Sequence, residues 1–304
     1  MGPRDAESES EGFARWRRER IAMARVLIAG CGYVGEALGE RLLVDDHEVW
    51  GLRRNPRSLP AGIESITADL ASPADLADLP GGIDFVFYLV SPNGSEDALY
   101  RRAYVEGLRG LIEALHRDGQ RPPLLFASST AVYRQYDGAW VDESSETAPD
   151  HWSGKRLLEG EQIALQSLPS TTVVRFGGIY GPRRTQLIDR VRSGRAGYQV
   201  DPPQYANRIH RDDCAGALHH LMNLENPDSV YLAVDNEPAE ERAVLLWLAG
   251  VMGSPPPREA EKTEVSKRPR GNKRCRNARL VQSGYTFRYP TFREGYSAVL
   301  EGMV

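Results

Sequence analysis

Cysteine is scarce: three among 304 residues, at Cys31, Cys214 and Cys275. Their odd number and wide spacing exclude a disulfide framework and a compact metal knuckle, and they read as free thiols in a reducing compartment, so the expected location is cytoplasmic. No stretch approaches the ~20 consecutive apolar residues that span a bilayer, and residues 1–22 lack the apolar block of a secretory signal; no membrane partner is expected. A surplus of positive charge is missing too. Thirty-eight Lys and Arg stand against 42 Asp and Glu, a net charge of −4. That offers phosphodiester backbones no general attraction, so nucleic acid is not an expected partner. There is no internal repeat and no His/Cys/Asp cluster at zinc spacing. His219 and His220 are adjacent and point to different helix faces, so no metal is implied.

What is present is ordinary globular material, 41% apolar and 26% charged, of a length for one large or two modest domains. Residues 1–22 run from acidic to basic and predict a flexible tail. Short apolar runs at 25–30, 48–52, 84–90, 123–127 and 171–175 read as buried strands. Apolar spacing at 34–44, 98–116 and 152–165 predicts intervening helices. This alternation, without hairpin turns, predicts an α/β fold with a doubly wound parallel sheet. Beyond about residue 177, Pro and Gly thicken. The expected division is a larger domain over 23–176 and a smaller C-terminal substrate-binding or lid region over 177–304. A segment near 205–235 should return to the larger domain, its best strand at 230–234. Residues 267–279 carry seven cations and no acid; they read as a solvated loop before a helix, with closure over an anionic substrate as a second use.

Gly30-Cys31-Gly32-Tyr33-Val34-Gly35 directly follows the first strand and opens the first helix. The first glycine permits the tight turn, the second lets backbone approach a pyrophosphate, and the third packs helix on strand. The helix N-terminus, at Tyr33 and Val34, adds partial positive charge. In this context the loop predicts a Rossmann-type dinucleotide site; the alternative is a turn that only closes helix on strand. An NAD-selective site needs a carboxylate ~20 residues onward. Here stand Arg53 and Arg54, with Arg57 close by, and guanidiniums can pair with a 2′-phosphate. NADP(H) is therefore preferred, with NAD(H) possible. Asp69-Leu70 either meets the adenine ring or forms a turn. Ser91, following the strand at 84–90, is assigned to the cofactor as well.

These residues, together with the ADL at 68–70, FASSTAVY at 126–133, VDE at 141–143, VVRFGGIYGP at 173–182 and NRIHRDD at 207–213, resemble extended or atypical short-chain dehydrogenase/reductases of the NAD-dependent epimerase/dehydratase type. The tail from Asn277 to Gly295 is similar to the bacterial nucleoside-sugar epimerase-like branch of the YeeZ type. The resemblance covers nearly all of residues 25–300. It implies a Ser or Thr, a Tyr and a Lys cooperating on proton transfer while hydride passes to nicotinamide. It places Ser129, with Thr130 beside it, at the hydroxyl position, and Lys155 at the position that also holds the nicotinamide ribose. It further implies a small-molecule substrate, perhaps nucleotide-linked, and allows a homodimer.

The tyrosine is missing. Four residues before Lys155 stands His151, and a register anchored on residues 158–162 puts Ser153 there instead. An imidazole titrates near pH 6.5 and can exchange a proton at neutral pH. Glu106, where the resemblance expects an Asn, can pair with Lys155 or act as a base. Tyr104 and Tyr133 are weaker candidates. Arg208 is expected either to bind substrate phosphate or to form an internal ion pair; Tyr180 either shapes the substrate pocket or packs. Asp212 and Asp213 suit a helix N-cap and first turn. Two functions stay open: an NADP(H)-dependent epimerase, dehydratase or oxidoreductase, and a cofactor-binding redox sensor that has lost turnover.

Overall fold

The computed structural model describes residues 23–55, 58–168, 170–259 and 271–303; the expected tail at 1–22 lies outside them. β1 (Arg25–Ala29) runs through the glycine loop into α1 (Tyr33–Val44), then β2 (Glu48–Arg53) and β3 (Ile63–Thr67). β4 (Phe85–Tyr88) precedes α2 (Asp97–Arg101), a π-helical turn (Arg102–Glu106) and α3 (Gly107–Arg117). β5 (Leu124–Ser129), β6 (Ala139–Val141), α4 (Trp152–Ser167), β7 (Thr171–Phe176) and β8 (Gly178–Tyr180) follow. Next come α5 (Gln186–Arg192), β9 (Gly197–Tyr198), β10 (Tyr205–Ala206), β11 (Arg208–His210) and α6 (Arg211–Met222). The chain closes with β12 (Val230–Ala233), β13 (Ala239–Glu240), α7 (Glu241–Met252), β14 (Arg258–Glu259), β15 (Lys273–Cys275), α8 (Ala278–Gln282) and α9 (Phe292–Glu301).

Seven strands form one parallel sheet in the order β12-β7-β5-β4-β1-β2-β3. β1 pairs with both β2 and β4 in parallel register. The fold is therefore the α/β parallel sheet that the apolar strands predict. Strands covered on both faces need not alternate, and all four residues of β4 are buried. The order of the strands reverses between β1 and β4. An open parallel sheet leaves a crevice at such a point, beyond the carboxyl ends of the strands. The glycine loop begins there.

The chain divides into two compact units. The first holds the described residues up to Ala127 with 159–173 and 218–229; the second holds 128–158, 174–217 and 230 onward. The division interleaves, and residues 218–229, within the segment expected to return near 205–235, belong to the first unit. β5 and β7 are themselves cut, each giving its first residues to one unit and its last to the other. A change in Pro and Gly content cannot reveal a crossing inside a strand.

The helix expected over 98–116 is interrupted by the π turn. Tyr88 is fully buried and its hydroxyl donates to the Ala103 carbonyl; a Cβ on Gly107 would lie 2.9 Å from that hydroxyl. A buried phenol must find an acceptor, and a helix that gives up a carbonyl to a side chain widens there. Apolar spacing carries no trace of this.

In the second unit, α5, α7 and α9 bury Ile188, Val191, Leu245, Leu248 and Phe292 against one another. Thr291 and Glu294 form a reciprocal capping box that starts α9. Asp212 and Asp213 both sit in the first turn of α6, and Asp213 accepts from the Tyr285 hydroxyl at 2.9 Å and the amides of Arg288 and Tyr289 at 2.7 and 2.9 Å. It thus fastens the segment before α9. The cationic run is not a solvated loop over its described half: Lys273 is buried in β15, paired with β6. Arg274 and Arg276 each lie 4.9 Å from the Trp140 ring. Lys267, Arg268 and Arg270 lie outside the described residues.

Candidate active site

The glycine loop of the first unit separates into two glycines that packing demands and one that it does not. Gly30 has φ +87°, and a Cβ there would lie 2.6 Å from the Val90 amide nitrogen. A Cβ on Gly35 would meet Ile28 at 3.0 Å and the Gly30 carbonyl at 3.2 Å. At Gly32 the nearest atom is 4.0 Å away, so nothing in the protein requires a glycine; it keeps one face of the loop clear. The Leu52 carbonyl holds the loop, accepting from the amides of Gly30 and Cys31 at 2.9 and 3.1 Å. No side chain caps α1 at Gly32. A clear backbone face at an uncapped helix start fits a pyrophosphate. Cys31 is buried, and burial pushes its thiol up to about 12; it is packing, not a nucleophile.

Arg53 ends β2 with its guanidinium 3.3 Å from Glu36, in the first turn of α1, and 3.5 Å from the Cys31 carbonyl. Arg54 is exposed, and Arg57 lies outside the described residues. The Asp69 carboxylate accepts from the Ala71 amide at 3.0 Å and from Arg102 at 2.7 Å. Burial opposes its ionisation, but the Arg102 and Ala71 hydrogen bonds outweigh it and hold the carboxyl below its usual range. Leu70 is buried and Ser91 exposed. Glu106 pairs with Arg101 at 3.2 Å.

The hydroxyl and helix elements expected at the reacting centre all fall in the second unit. Ser129 ends β5, and its Oγ accepts from the Ala131 amide at 3.2 Å, which leaves the hydroxyl proton free to donate. Thr130 opens the short 3-10 segment that follows (Thr130–Val132). His151 stands at the start of α4. Its carbonyl accepts from the Lys155 amide at 3.2 Å, and its Nδ1 accepts from the Ser153 amide at 3.3 Å. The Ser153 hydroxyl lies 2.7 Å from the same nitrogen. An amide can only donate, so Nδ1 carries no proton and the neutral ring presents Nε2–H. Lys155 lies one turn further along α4 and is exposed. Gly154 brings this turn against the serine loop: a Cβ there would lie 2.5 Å from the Ala131 carbonyl and 2.5 Å from Pro149. Ser153 and Gly154 carry structural work that the missing tyrosine drew attention away from.

Neither spare tyrosine substitutes for the absent one. Tyr104 is buried, which drives its phenol far above its ordinary value. Tyr133 donates to the Asp142 carbonyl and accepts from Arg175, both at 2.8 Å. Burial pushes it up to about 12 despite Arg175. Tyr180 and Arg208 are also buried. Tyr180 stacks on Tyr296 with ring centroids 4.3 Å apart, and Arg208 bonds to the Ala206 carbonyl at 3.2 Å. As placed, both face protein.

Distant positions do converge where no local spacing announced them. Ligand atoms of Asp45, His47 and His219 lie within 4.8 Å of one another. Yet the Ala24 amide donates to His47 Nδ1 at 3.0 Å, which puts that ring's proton on Nε2 and leaves it no lone pair for a cation. His219 Nε2 lies 2.7 Å from Asp45. The group is a hydrogen-bonded clasp. Among the described residues no helix is long and apolar enough to cross a membrane.

Comparison with known proteins agrees with this fold. A protein of Methylobacillus flagellatus assigned to the NAD-dependent epimerases/dehydratases superimposes with a TM-score of 0.77 at 34% identity, over 92% of this chain and 99% of that one. MoeE5, in a complex with UDP-glucose and NAD, has the same fold (TM-score 0.74, 23% identity, 92% and 98% covered). The decarboxylating sterol-4-alpha-carboxylate 3-dehydrogenase of Bos taurus is 27% identical over 180 residues, 53% of this chain and 48% of its own; the chain matches about half the length of that relative. The model of the NAD dependent epimerase/dehydratase family matches residues 26–232. The chain belongs to that family.

Proposed function

We propose that the chain is a nicotinamide-dependent epimerase, dehydratase or oxidoreductase of a polar small molecule, nucleotide-linked like the UDP-glucose of MoeE5, with NADP(H) preferred to NAD(H). One observation carries the enzymatic reading: the close approach at Gly154, which holds the turn bearing His151 and Lys155 against the loop that follows Ser129. The bound cofactor would supply or receive the hydride. Gly30, Gly32, Tyr33, Val34 and Gly35 would hold its pyrophosphate, and Lys155 its nicotinamide ribose. Arg54, with Arg53, would favour the 2′-phosphate, since no carboxylate ends β2. Ser129 would donate its free proton to a substrate carbonyl or hydroxyl. His151, presenting Nε2–H in its neutral form, would donate to the same oxygen and stabilise negative charge as it develops there.

One observation favours the second reading, a cofactor-binding sensor without turnover. His151 already serves α4 as its cap, a task that needs no chemistry. The test is turnover of a panel of sugar nucleotides with NADP or NADPH, in the wild type and in Lys155→Ala. The enzymatic reading expects turnover that falls at least about a hundredfold in Lys155→Ala, with weaker cofactor binding. Tight cofactor binding without turnover across the panel would turn the assignment to the sensor.

A further inference from the structure

Arg53 is the residue that sequence alone would give to a 2′-phosphate, but it is already engaged. Its guanidinium lies 3.3 Å from the Glu36 carboxylate, and the two side chains are only 13% and 23% exposed. Its Nη1 also reaches the Cys31 carbonyl, at 3.5 Å, so the fork lies over the glycine loop. At that burial solvent screens the pair less than it would a surface pair. We propose that Glu36 sets the coenzyme preference of the glycine cradle by competing with a ribose 2′-phosphate for Arg53. The inference rests on the proposed nicotinamide site and deepens it.

The argument is electrostatic on both sides. A 2′-phosphate would bind the guanidinium whose Nη1 Glu36 contacts, and it must approach a carboxylate of its own sign. A bare 2′-hydroxyl meets no such repulsion and can donate to that carboxylate. Glu36 thereby supplies the acid that β2 lacks, from the first turn of α1 instead. Exposed Arg54 pulls the other way. The chain therefore accepts both coenzymes, and Glu36 narrows the margin by which NADP(H) leads.

The experiment is calorimetric titration of NADPH and NADH into the full-length protein, the wild type beside Glu36→Gln. Removing the charge should raise the ratio of NADPH to NADH affinity about fivefold to tenfold. Adding Arg53→Ala should abolish that gain, and raising the salt should shrink it. An acid in the first turn also supports the helix. Should Glu36→Gln fail to fold, Glu36→Asp keeps that charge while withdrawing it from Arg53, and the same shift toward NADPH is expected. A wild type that binds neither coenzyme overturns the cofactor reading and this inference together. Binding of both with a ratio unchanged within twofold in the variant overturns the inference alone.

Discussion

The glycine loop of the first unit and the polar cluster behind β11 in the second unit solve the same problem in opposite ways. Each must place polar groups close together inside folded protein. The loop does so with backbone, and the partners of its amides are carbonyls a few residues or one strand away. The cluster does so with side chains drawn from β8, β11, the turn after β12, and α9. It leaves the Tyr180 hydroxyl, His210 Nε2 and Asp235 Oδ2 buried without partners. The loop's amides at Gly30, Cys31 and Gly32 find carbonyls nearby; converging side chains need not find partners, and what they leave unmet becomes sensitivity to pH and substitution.

The contrast breaks most sharply at the glycines. Gly30→Ala must force a left-handed residue against the Val90 backbone, and is expected to cost about 3 kcal/mol or more. Gly32→Ala meets open space. Its stability should stay within about 1 kcal/mol of wild type while its cofactor affinity falls at least about tenfold. Urea denaturation beside calorimetry would check both. A Gly32→Ala protein as unstable as Gly30→Ala would remove the distinction between a packing glycine and a clear one.

The second unit answers through Asp235, 2% exposed. Burial raises its carboxyl from the ordinary 3.8 to about 8, although the Glu237 amide and Arg208 favour the ion; Glu237 and Asp213 add to the rise. In the folded state the proton stays on to about pH 8, whereas the unfolded chain loses it near pH 4. The native state thus holds the extra proton across that window. Stability should fall as pH rises through it and level off above. Asp235→Asn, neutral throughout, should flatten the decline and gain about 2 kcal/mol at pH 8. Thermal unfolding across the pH range measures this. A variant with the same slope as wild type would show that the acid does not govern it.

This difference also explains what the sequence let us read. Val26, Leu27 and Ile28 announce a buried strand, and Gly30 to Gly35 announce the turn, because neighbours along the chain impose that geometry. Arg53 was legible as a charge at the end of β2, but Glu36, seventeen residues earlier, shows its significance only when α1 and β2 are side by side. Asp213 read with Asp212 as an acid of the helix start, where it sits, yet its partners lie more than seventy residues on. The π turn depends on one phenol, Tyr88, reaching a carbonyl on another element. Spacing predicts what spacing causes, and these contacts have no fixed spacing.

The smallest effect separates structure from chemistry at His151. Its Nδ1 takes the Ser153 amide, the task of an N-cap side chain, and His151→Ala should cost about 1 kcal/mol through that loss alone. Asparagine caps at least as well, so His151→Asn should keep wild-type stability within about 0.5 kcal/mol. It cannot act as an acid or base near neutral pH. If the imidazole works on substrate, both variants lose turnover alike although only one loses stability. If it merely starts the helix, His151→Asn keeps its rate, and any proton transfer must come from another group. Measuring rate and stability on the same two preparations therefore decides whether the residue that replaced a tyrosine inherited its chemistry or only its place on the helix.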